Sequence, residues 1–274
     1  PNDVATTGAT TLGADVNVYA LKITGGVKGT GKTITLGSGG FISTTYDQTI
    51  EPDFDFSAAE AIMYENDSRG ITLAGAVTAP HGFVKCGGGS IKLAGANAIE
   101  GRIFVAQGTL RLENATAAAD WADCVLSVSK FGTANLNSQS VSVAGLAGAG
   151  TVANGTLTVT QTFAPGGSLH PSRIDTAGLV LGPACTTTVE LGTIGDEVAV
   201  AGDLTLDGTL DVVAAEGFAP GTYTIMTYSG TLTDNGMAIG SKPADAHVTL
   251  DTSEAGVVKL VVAEQMGATL FIVR

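Results

Sequence analysis

One stretch of the sequence matches the phosphate-binding loop of nucleotide-binding proteins. Residues 26–33 read GVKGTGKT, which fits a Gly, four further residues, then Gly-Lys and a Ser or Thr. In such a loop a helix begins at the Lys, so that its amino-terminal amides face the phosphates. Here Lys32 is followed by ITLGSGG, an alternating segment and a Gly turn, which predicts a strand. We interpret the motif as a corner of a β-fold and expect no bound cofactor.

A pair of acidic residues could carry out a different chemistry. In the segment EPDFDF, Asp53 and Asp55 lie on one side of an extended chain and Phe54 and Phe56 on the other. Side chains two apart on a strand are ~6.5–7 Å apart, a separation compatible with carboxylate pairs that cleave glycosidic bonds. The pair could also bind calcium. An acidic solvent face opposite two buried rings explains the same residues, so these interpretations stay open.

The other residues of catalytic or metal-binding type form no recognisable site. The histidines and cysteines are far apart and follow no metal-ligand spacing. They are His81, His170, His247, Cys86, Cys124 and Cys185. Ser168 and His170 lie in GGSLHPSR, which lacks a nucleophile elbow, so we predict turn residues. We predict that the cysteines are small buried apolar side chains, and that the chain has no catalytic residue, no metal site and no disulfide.

Charge and hydropathy exclude two kinds of partner. The 274 residues include 26 Asp and Glu against 13 Lys and Arg, a formal net charge of −13. No cluster of cations could follow a nucleic-acid backbone, so we expect no nucleic-acid partner. The most apolar stretch, residues 260–273, is interrupted by Glu264 and Gln265 and is shorter than the ~20 residues of a membrane helix. We therefore expect no membrane span.

Short strands must position these residues, because one phrase recurs along the chain. A Gly is followed by Thr or Ser, an alternation of aliphatic and polar residues, and turn residues. The copies are GKTITLG from residue 31, RGITLAG from 69, GSIKLAG from 89, GTLRLEN from 108, GTLTVT from 155 and GDLTLDGTLDV from 202. Each predicts a strand of four to six residues with one buried face. NATAAADWADCVL predicts one or two helical turns, capped by Asn114 or Thr116.

The spacing of these strands predicts the fold class. Irregular repeats of about 20 residues, made of short strands and Gly turns, indicate an all-β solenoid, a parallel β-helix whose aliphatic residues stack in columns. The 38 glycines argue against a helical bundle, since each Gly inside a helix costs about 1 kcal/mol relative to Ala. The aromatic content of 5% favours narrow coils over a β-sandwich.

Residues 83–114 carry a more specific pattern. FVKCGGGSIKLAGANAIEGRIFVAQGTLRLEN resembles the autotransporter-associated β-strand repeat, which runs Lys-x-Gly-x-Gly-Thr-Leu, then Gly-Ala-Asn, a Gly, and Ala-Gly-Thr-Leu. Lys85, Gly87 and Gly89 match its beginning, and residues 95–97 and 108–110 match its later parts. The segments that begin at residues 145 and 196 resemble the Gly-rich and closing coils of the same proteins. The resemblance implies a right-handed parallel β-helix at a bacterial surface or outside the cell.

We therefore predict a single elongated domain over residues 1–274. Its parts are N-terminal coils in 1–82, the best-matching repeat in 83–114, Gly-rich central coils in 115–195 and closing coils in 196–274. The first hypothesis for function is a non-enzymatic structural protein of the bacterial surface: a stalk, a surface-layer element or a filament subunit. An adhesin that binds glycans or matrix through its loops is the alternative. A polysaccharide-degrading enzyme that uses Asp53 and Asp55 is a third.

The structural hypothesis includes assembly with further copies of the chain. A solenoid ends in coils whose strand edges are unpaired, and another copy could pair with them end to end or laterally. The apolar last segment of the sequence is the predicted contact. It contains Leu270, Phe271, Ile272 and Val273.

Overall fold

The computed structural model describes residues 4–118, 121–166 and 172–264, and nearly all of their regular structure is β-strand. Up to residue 112 the strands have two to five residues. They are β1 (Val4–Thr7), β2 (Thr10–Thr11), β3 (Val16–Val18), β4 (Ala20–Ile23), β5 (Val27–Lys28), β6 (Thr33–Leu36), β7 (Gly40–Ser43), β8 (Gln48–Ile50), β9 (Asp53–Asp55), β10 (Ala61–Glu65), β11 (Ile71–Leu73), β12 (Val77–Ala79), β13 (Phe83–Cys86), β14 (Ser90–Leu93), β15 (Ala98–Ile99), β16 (Arg102–Val105) and β17 (Gly108–Leu112).

These strands stack in three parallel ladders, and each coil of the chain adds one strand to each ladder. The first ladder contains β1, β4, β7, β10, β13 and β16. The second contains β2, β5, β8, β11, β14 and β17. The third contains β3, β6, β9, β12 and β15. Val4 pairs with Ala20 and Leu21 with Phe41, so the coils have about the predicted length, and the parallel β-solenoid is confirmed.

In the second half of the chain, longer strands turn the corners between ladders. The strands are β18 (Val125–Val128), β19 (Gly132–Gly148), β20 (Thr151–Pro165), β21 (Arg173–Leu181), β22 (Thr186–Leu191), β23 (Glu197–Val200), β24 (Leu204–Leu206), β25 (Thr209–Ala214), β26 (Gly221–Tyr228), β27 (Leu232–Asp234), β28 (Ala238–Ile239), β29 (Ala246–Asp251) and β30 (Val257–Glu264). The first ladder continues through β18, the ends of β19 and β20, β22, β25 and β28.

The alternation in the sequence explains why these segments are strands. In β6, for example, Ile34 and Leu36 are buried, while Thr33 and Thr35 alternate with them on the outer side. Each of the six recurring phrases contains at least one strand, as predicted. The inward aliphatic residues form one continuous core from Leu21 to Val262.

The third ladder is interrupted after β15. Two 3₁₀ turns, Ala115–Ala118 and Trp121–Asp123, follow β17 on this side of the coil. The Asn114 side chain caps the first turn, because its Oδ1 accepts a hydrogen bond of 3.1 Å from the amide of Ala117. Trp121 is only 1% exposed and fills the core at this point. The predicted helical turns are confirmed, in 3₁₀ form.

The closing coils differ from a purely parallel solenoid at the carboxyl end. Strand β26 pairs in parallel with β23 and, in antiparallel fashion, with β30, and β29 pairs antiparallel with β30. The loop between β29 and β30 ends at Gly256, whose φ of 83° is in the left-handed region that glycine adopts without strain. The second ladder continues from β17 through the starts of β19, β20 and β21 to β23 and β26. The reversal of the chain therefore ends the parallel stacking of this ladder. Within the three described ranges, no helix has the length and apolar character to cross a membrane.

Candidate functional site

The phosphate-loop motif includes the turn between β5 and β6. Two of its backbone amides donate hydrogen bonds to carboxylates of the same chain. The amide of Gly29 donates a 2.9 Å hydrogen bond to Oε2 of Glu51, and the amide of Thr33 donates a 3.0 Å bond to Oδ1 of Asp15. The Gly29 hydrogen bond lowers the pKa of Glu51. No helix begins at Lys32, since β6 starts at the next residue. The corner interpretation is correct: the groups that would hold a phosphate hold the protein's own carboxylates.

Asp53 and Asp55 lie on β9, as the alternation predicts. Each carboxylate accepts a hydrogen bond from a backbone amide. Phe54 and Phe56 are buried on the opposite side. Asp53 Oδ1 accepts a 2.7 Å hydrogen bond from the amide of Ala76 in the next coil. Asp55 Oδ1 accepts from the amide of Ser57 at 2.9 Å and also from its hydroxyl, which lowers the pKa of Asp55. Both carboxylates therefore accept hydrogen bonds from backbone amides within the solenoid. This supports the structural interpretation of the pair.

The remaining candidates do not come together. His81 Nε2 lies 3.0 Å from the carbonyl oxygen of Ser57, and His247 is exposed on β29. Cys124 and Cys185 are buried, as predicted, whereas Cys86 points outward from β13 and is half-buried. Ser168, His170 and the predicted assembly contact at 270–273 lie outside the described residues. Among the residues described, no three His, Cys, Asp or Glu side chains are grouped to hold a metal ion.

Lys85 of the repeat motif points into the core. Its side chain is fully buried, in line with Met63 of β10 and Val105 of β16. The ammonium reaches the corner after β13, where it donates to the carbonyl oxygens of Cys86 at 2.9 Å, Gly87 at 2.7 Å and Gln107 at 3.1 Å. Burial lowers the pKa of Lys85 to about 8, against the attraction of neighbouring negative charge. Sequence reasoning matched this residue to a motif but missed its role, although its place in the alternation FVKC indicates an inward side chain.

Two further motif positions, Asn97 and Gly108, lie at corners between ladders. Asn97 is buried and links three coils: its Oδ1 accepts from the amide of Val77 at 2.9 Å, and its Nδ2 donates to the carbonyl of Ala117 at 2.9 Å. Gly108 has a φ of 71°, and a Cβ at this position would lie 2.3 Å from the carbonyl oxygen of Gly89. The motif therefore encodes tight corners with satisfied polar groups, which is a structural rather than a catalytic pattern.

The outer side of the first ladder carries an unusual concentration of apolar residues. The apolar patch consists of Ile42, Ile62, Tyr64, Val84, Phe104 and Val125. Ile42 and Ile62 are each 44% exposed, Tyr64 is 39% exposed and Val125 is 38% exposed. The register places Ile42 beside Tyr64, and Val84 between Ile62 and Phe104, so these five residues are continuous. Val125 lies beside Arg102 and diagonally from Phe104, at the end of the patch. Contiguous exposed apolar surface on a soluble protein commonly marks an interaction site.

Acidic residues border the patch where the chain enters the first ladder. Glu60 precedes β10, Glu100 precedes β16 and Asp123 precedes β18, and all three are exposed. Within the part of the chain that the structure describes, none of the three forms an ion pair. Two cations lie on the patch itself. Lys22 is next to Ile42, and the Arg102 guanidinium is 4.2 Å from the centre of the Phe104 ring.

The strands beneath the patch have no free edges. β10 pairs with β7 on one side and β13 on the other, and β13 pairs with β16. A partner on this surface therefore binds through side chains, because the backbone hydrogen-bonding groups are already paired.

A polar groove lies on another part of the solenoid, beside β17, β19 and β20. It has a volume of about 510 Å³, and its lining includes Arg111, Asn135, Asn137, Asn154 and Asp203. Arg111 Nη2 donates a 3.0 Å hydrogen bond to Oδ1 of Asn137. Amide, guanidinium and carboxylate groups of this kind form hydrogen bonds with hydroxyl-rich ligands.

Comparison with known proteins identifies one similar adhesin. No protein-family model matches the chain. The chain is 39% identical over 109 residues to the adhesin BmaC autotransporter of Brucella suis biovar 1. This match covers 39% of the chain and 3% of the adhesin, so the chain spans a small fraction of that relative. A parallel β-solenoid with this similarity is consistent with a passenger-like protein exposed at a bacterial surface.

Proposed function

We propose that this chain is a binding segment of a bacterial surface adhesin, in which the solenoid presents outward side chains to a partner. Two observations support the proposal together: the chain folds as a parallel β-solenoid, and part of its sequence is similar to an adhesin autotransporter. The core and the corners use the inward residues, so the outer faces are the surfaces that remain for recognition. This interpretation was the alternative in the sequence analysis, and the comparison supports it better than a stalk or filament subunit.

The proposal assigns no catalysis to the chain. Asp53 and Asp55, the one carboxylate pair that suggested hydrolysis, accept hydrogen bonds from the backbone amides of Ala76 and Ser57. Replacing both with Asn is expected to leave polysaccharides uncleaved, as with the wild-type chain. Release of reducing ends by the wild-type chain, lost in the double variant, would restore the enzyme hypothesis.

An adhesion assay tests the main proposal. Beads coated with the purified chain, and beads coated with the same chain denatured before coupling, are incubated with epithelial cells and with matrix-coated plates. We expect the folded chain to retain more beads than the denatured chain on at least one of these surfaces. Equal retention by both preparations on every surface would contradict the proposal.

Glycans are the ligands that the polar groove suits best, because hydroxyl groups pair with its amide and guanidinium groups. A glycan array probed with the wild-type chain and with Arg111→Ala tests this part of the proposal. Signals that depend on Arg111 would place glycan recognition in the groove. Signals that persist unchanged in the variant would exclude the groove as the glycan site.

A structural role is the second candidate, because continuous parallel ladders give a stiff rod. The antiparallel strand β30 covers the edge of β26, which disfavours parallel stacking of another copy on the second ladder at that end. Negative-stain electron microscopy of the purified chain distinguishes the two roles. Filaments or a lattice would favour the structural subunit, and isolated particles would favour the adhesin.

A further inference from the structure

The apolar patch has the dimensions of one side of a short amphipathic helix. It crosses five neighbouring strands, β7, β10, β13, β16 and β18, which at ~4.8 Å per strand extend over ~19 Å. It runs diagonally over three outward positions, because Ile42 and Tyr64 lie on one side of the row formed by Ile62, Val84 and Phe104, and Val125 lies on the other. On each strand it is at most two outward positions wide, ~7 Å. A helix of ~13 residues is ~19 Å long and presents a single apolar stripe of comparable width.

The size and charge of the patch argue against a second copy as its occupant. Its exposed area is roughly 300–400 Å², about half of what one partner contributes to a standard protein interface. Each copy also has a net charge of −13, so two copies repel each other at low ionic strength.

The border of the patch favours a cationic partner. Glu60, Glu100 and Asp123 are exposed and outside any ion pair among the described residues. The cation at this end of the patch, Arg102, is directed over the Phe104 ring. At the opposite edge, Arg69 forms ion pairs with Asp47 and Asp67. The border where the chain enters the first ladder is therefore acidic, while Lys22 and Arg102 lie on the patch itself beside Ile42 and Phe104. The whole chain has a net charge of −13.

We propose that the apolar patch binds a cationic amphipathic helix. The apolar side of such a peptide would lie along Ile62, Val84 and Phe104, and its Lys or Arg residues would reach Glu60 and Glu100. Apolar contact supplies most of the affinity, while the carboxylates set the orientation and speed the encounter. The proposal concerns this surface alone and does not depend on display at a bacterial surface.

Fluorescence anisotropy with a labelled 14-residue Leu/Lys peptide of amphipathic pattern tests the proposal with the intact chain. The triple variant Ile62→Ser, Tyr64→Ser, Phe104→Ser is expected to bind the peptide at least about tenfold more weakly than the wild-type chain. The matched control is Ile194→Ser with Val213→Ser, which removes exposed apolar residues, 70% and 45% exposed, from elsewhere on the chain. This control is expected to bind like the wild-type chain.

Charge variants and a second peptide separate specific binding from general attraction. Glu60→Gln with Glu100→Gln is expected to weaken binding about threefold and to reduce its salt dependence. A peptide of the same composition with scrambled order keeps its charge but loses its apolar side, and it is expected to bind at least about tenfold more weakly. Circular dichroism establishes that every variant is folded.

Three results would overturn the proposal. The scrambled peptide could bind as well as the amphipathic one, or the patch variant could bind as well as the wild-type chain. Sedimentation could also show a dimer of the wild-type chain that the patch variant abolishes, in which case a second copy is the occupant.

Discussion

Two stretches of the first ladder are both buried on their inner side but differ in the residues on their outer side. In β10 and β13 the outward residues include Ile62, Tyr64 and Val84, whereas in β22 they are Thr186, Thr188 and Glu190. The inward residues are buried in both stretches. The solenoid thus fixes what lies inside each coil and leaves the outside to vary. Differences in binding along the rod are therefore expected to follow the outward residues.

The strongest test of this comparison removes an inward side chain from each stretch. Phe83→Ala in β13 and Leu191→Ala in β22 each empty a position that is at most 1% exposed. The lost contacts and the cavity are expected to lower the free energy of unfolding by about 3–5 kcal/mol for Phe83 and about 2–5 kcal/mol for Leu191. Urea denaturation measures both. A small effect in only one stretch would show that the inner sides are not equivalent.

A second test addresses the polar residue inside the first stretch. Lys85→Met keeps an unbranched apolar stem but removes the donor to three carbonyl oxygens. We expect a loss of about 1–3 kcal/mol in urea denaturation at pH 7. Lys92→Met on the outer side of β14 is the matched control, expected to change stability by at most about 0.5 kcal/mol. Equal effects of the two variants would show that the corner does not need its ammonium.

The pH dependence of folding stability also tests the burial of Lys85. Its pKa is lowered to about 8 in the folded chain from the ordinary value of 10.5. Between these values the unfolded chain binds more protons, so the contribution of Lys85 to stability rises with pH. The difference in stability between wild type and Lys85→Met is expected to grow in favour of wild type from pH 8 to pH 10. A constant difference across this range would contradict the assignment.

A buried carboxylate in the turn after β22, beside the second stretch, has a pKa that changes stability in the opposite direction. Asp196 accepts hydrogen bonds from the amides of Ser172 at 3.0 Å and Glu190 at 2.9 Å, yet burial raises its pKa to about 6. The folded chain therefore binds the extra proton between pH 3.8 and 6, and stability is lost as the pH rises through this window. We expect a component of about 1–2 kcal/mol in thermal or urea denaturation. Asp196→Asn should lack this component, and an unchanged pH profile would refute the prediction.

The smallest expected effect comes from exchanging outward residues. Ile62→Thr in the first stretch and Thr188→Ile in the second are both expected to change stability by at most about 0.5 kcal/mol, since Ile and Thr both suit strands. The same exchange at Ile62 is expected to weaken peptide binding. If Ile62→Thr destabilised the chain as strongly as Phe83→Ala, the outer and inner sides would not be independent.

The fold could be predicted from the sequence because the solenoid repeats a local rule. Alternation such as TITL at 33–36 fixes both the strand and its inward side, and the Gly turns fix the coil length. The hairpin at the carboxyl end was missed because β29 and β30 alternate like the other strands. The turn residues TSEAG between them were the available signal for a reversal.

The candidate site was harder to predict than the fold. The sequence placed Asp53 and Asp55 on one side of a strand correctly, but their partners depend on which residue of the neighbouring coil lies opposite. Asp53 meets the amide of Ala76, 23 residues away, and no local pattern specifies that pairing. The apolar patch is likewise a property of neighbouring coils, since Ile62, Val84 and Phe104 become adjacent only when the coils stack.

The hairpin of β29 and β30 changes how the coil that contains β26 is held. Strand β26 pairs with β23 on one side and with β30 on the other, and β30 also pairs with β29. Because each coil of a solenoid is stabilised by its neighbours, opening of this coil is expected to require separation of β26 from the hairpin as well as from β23.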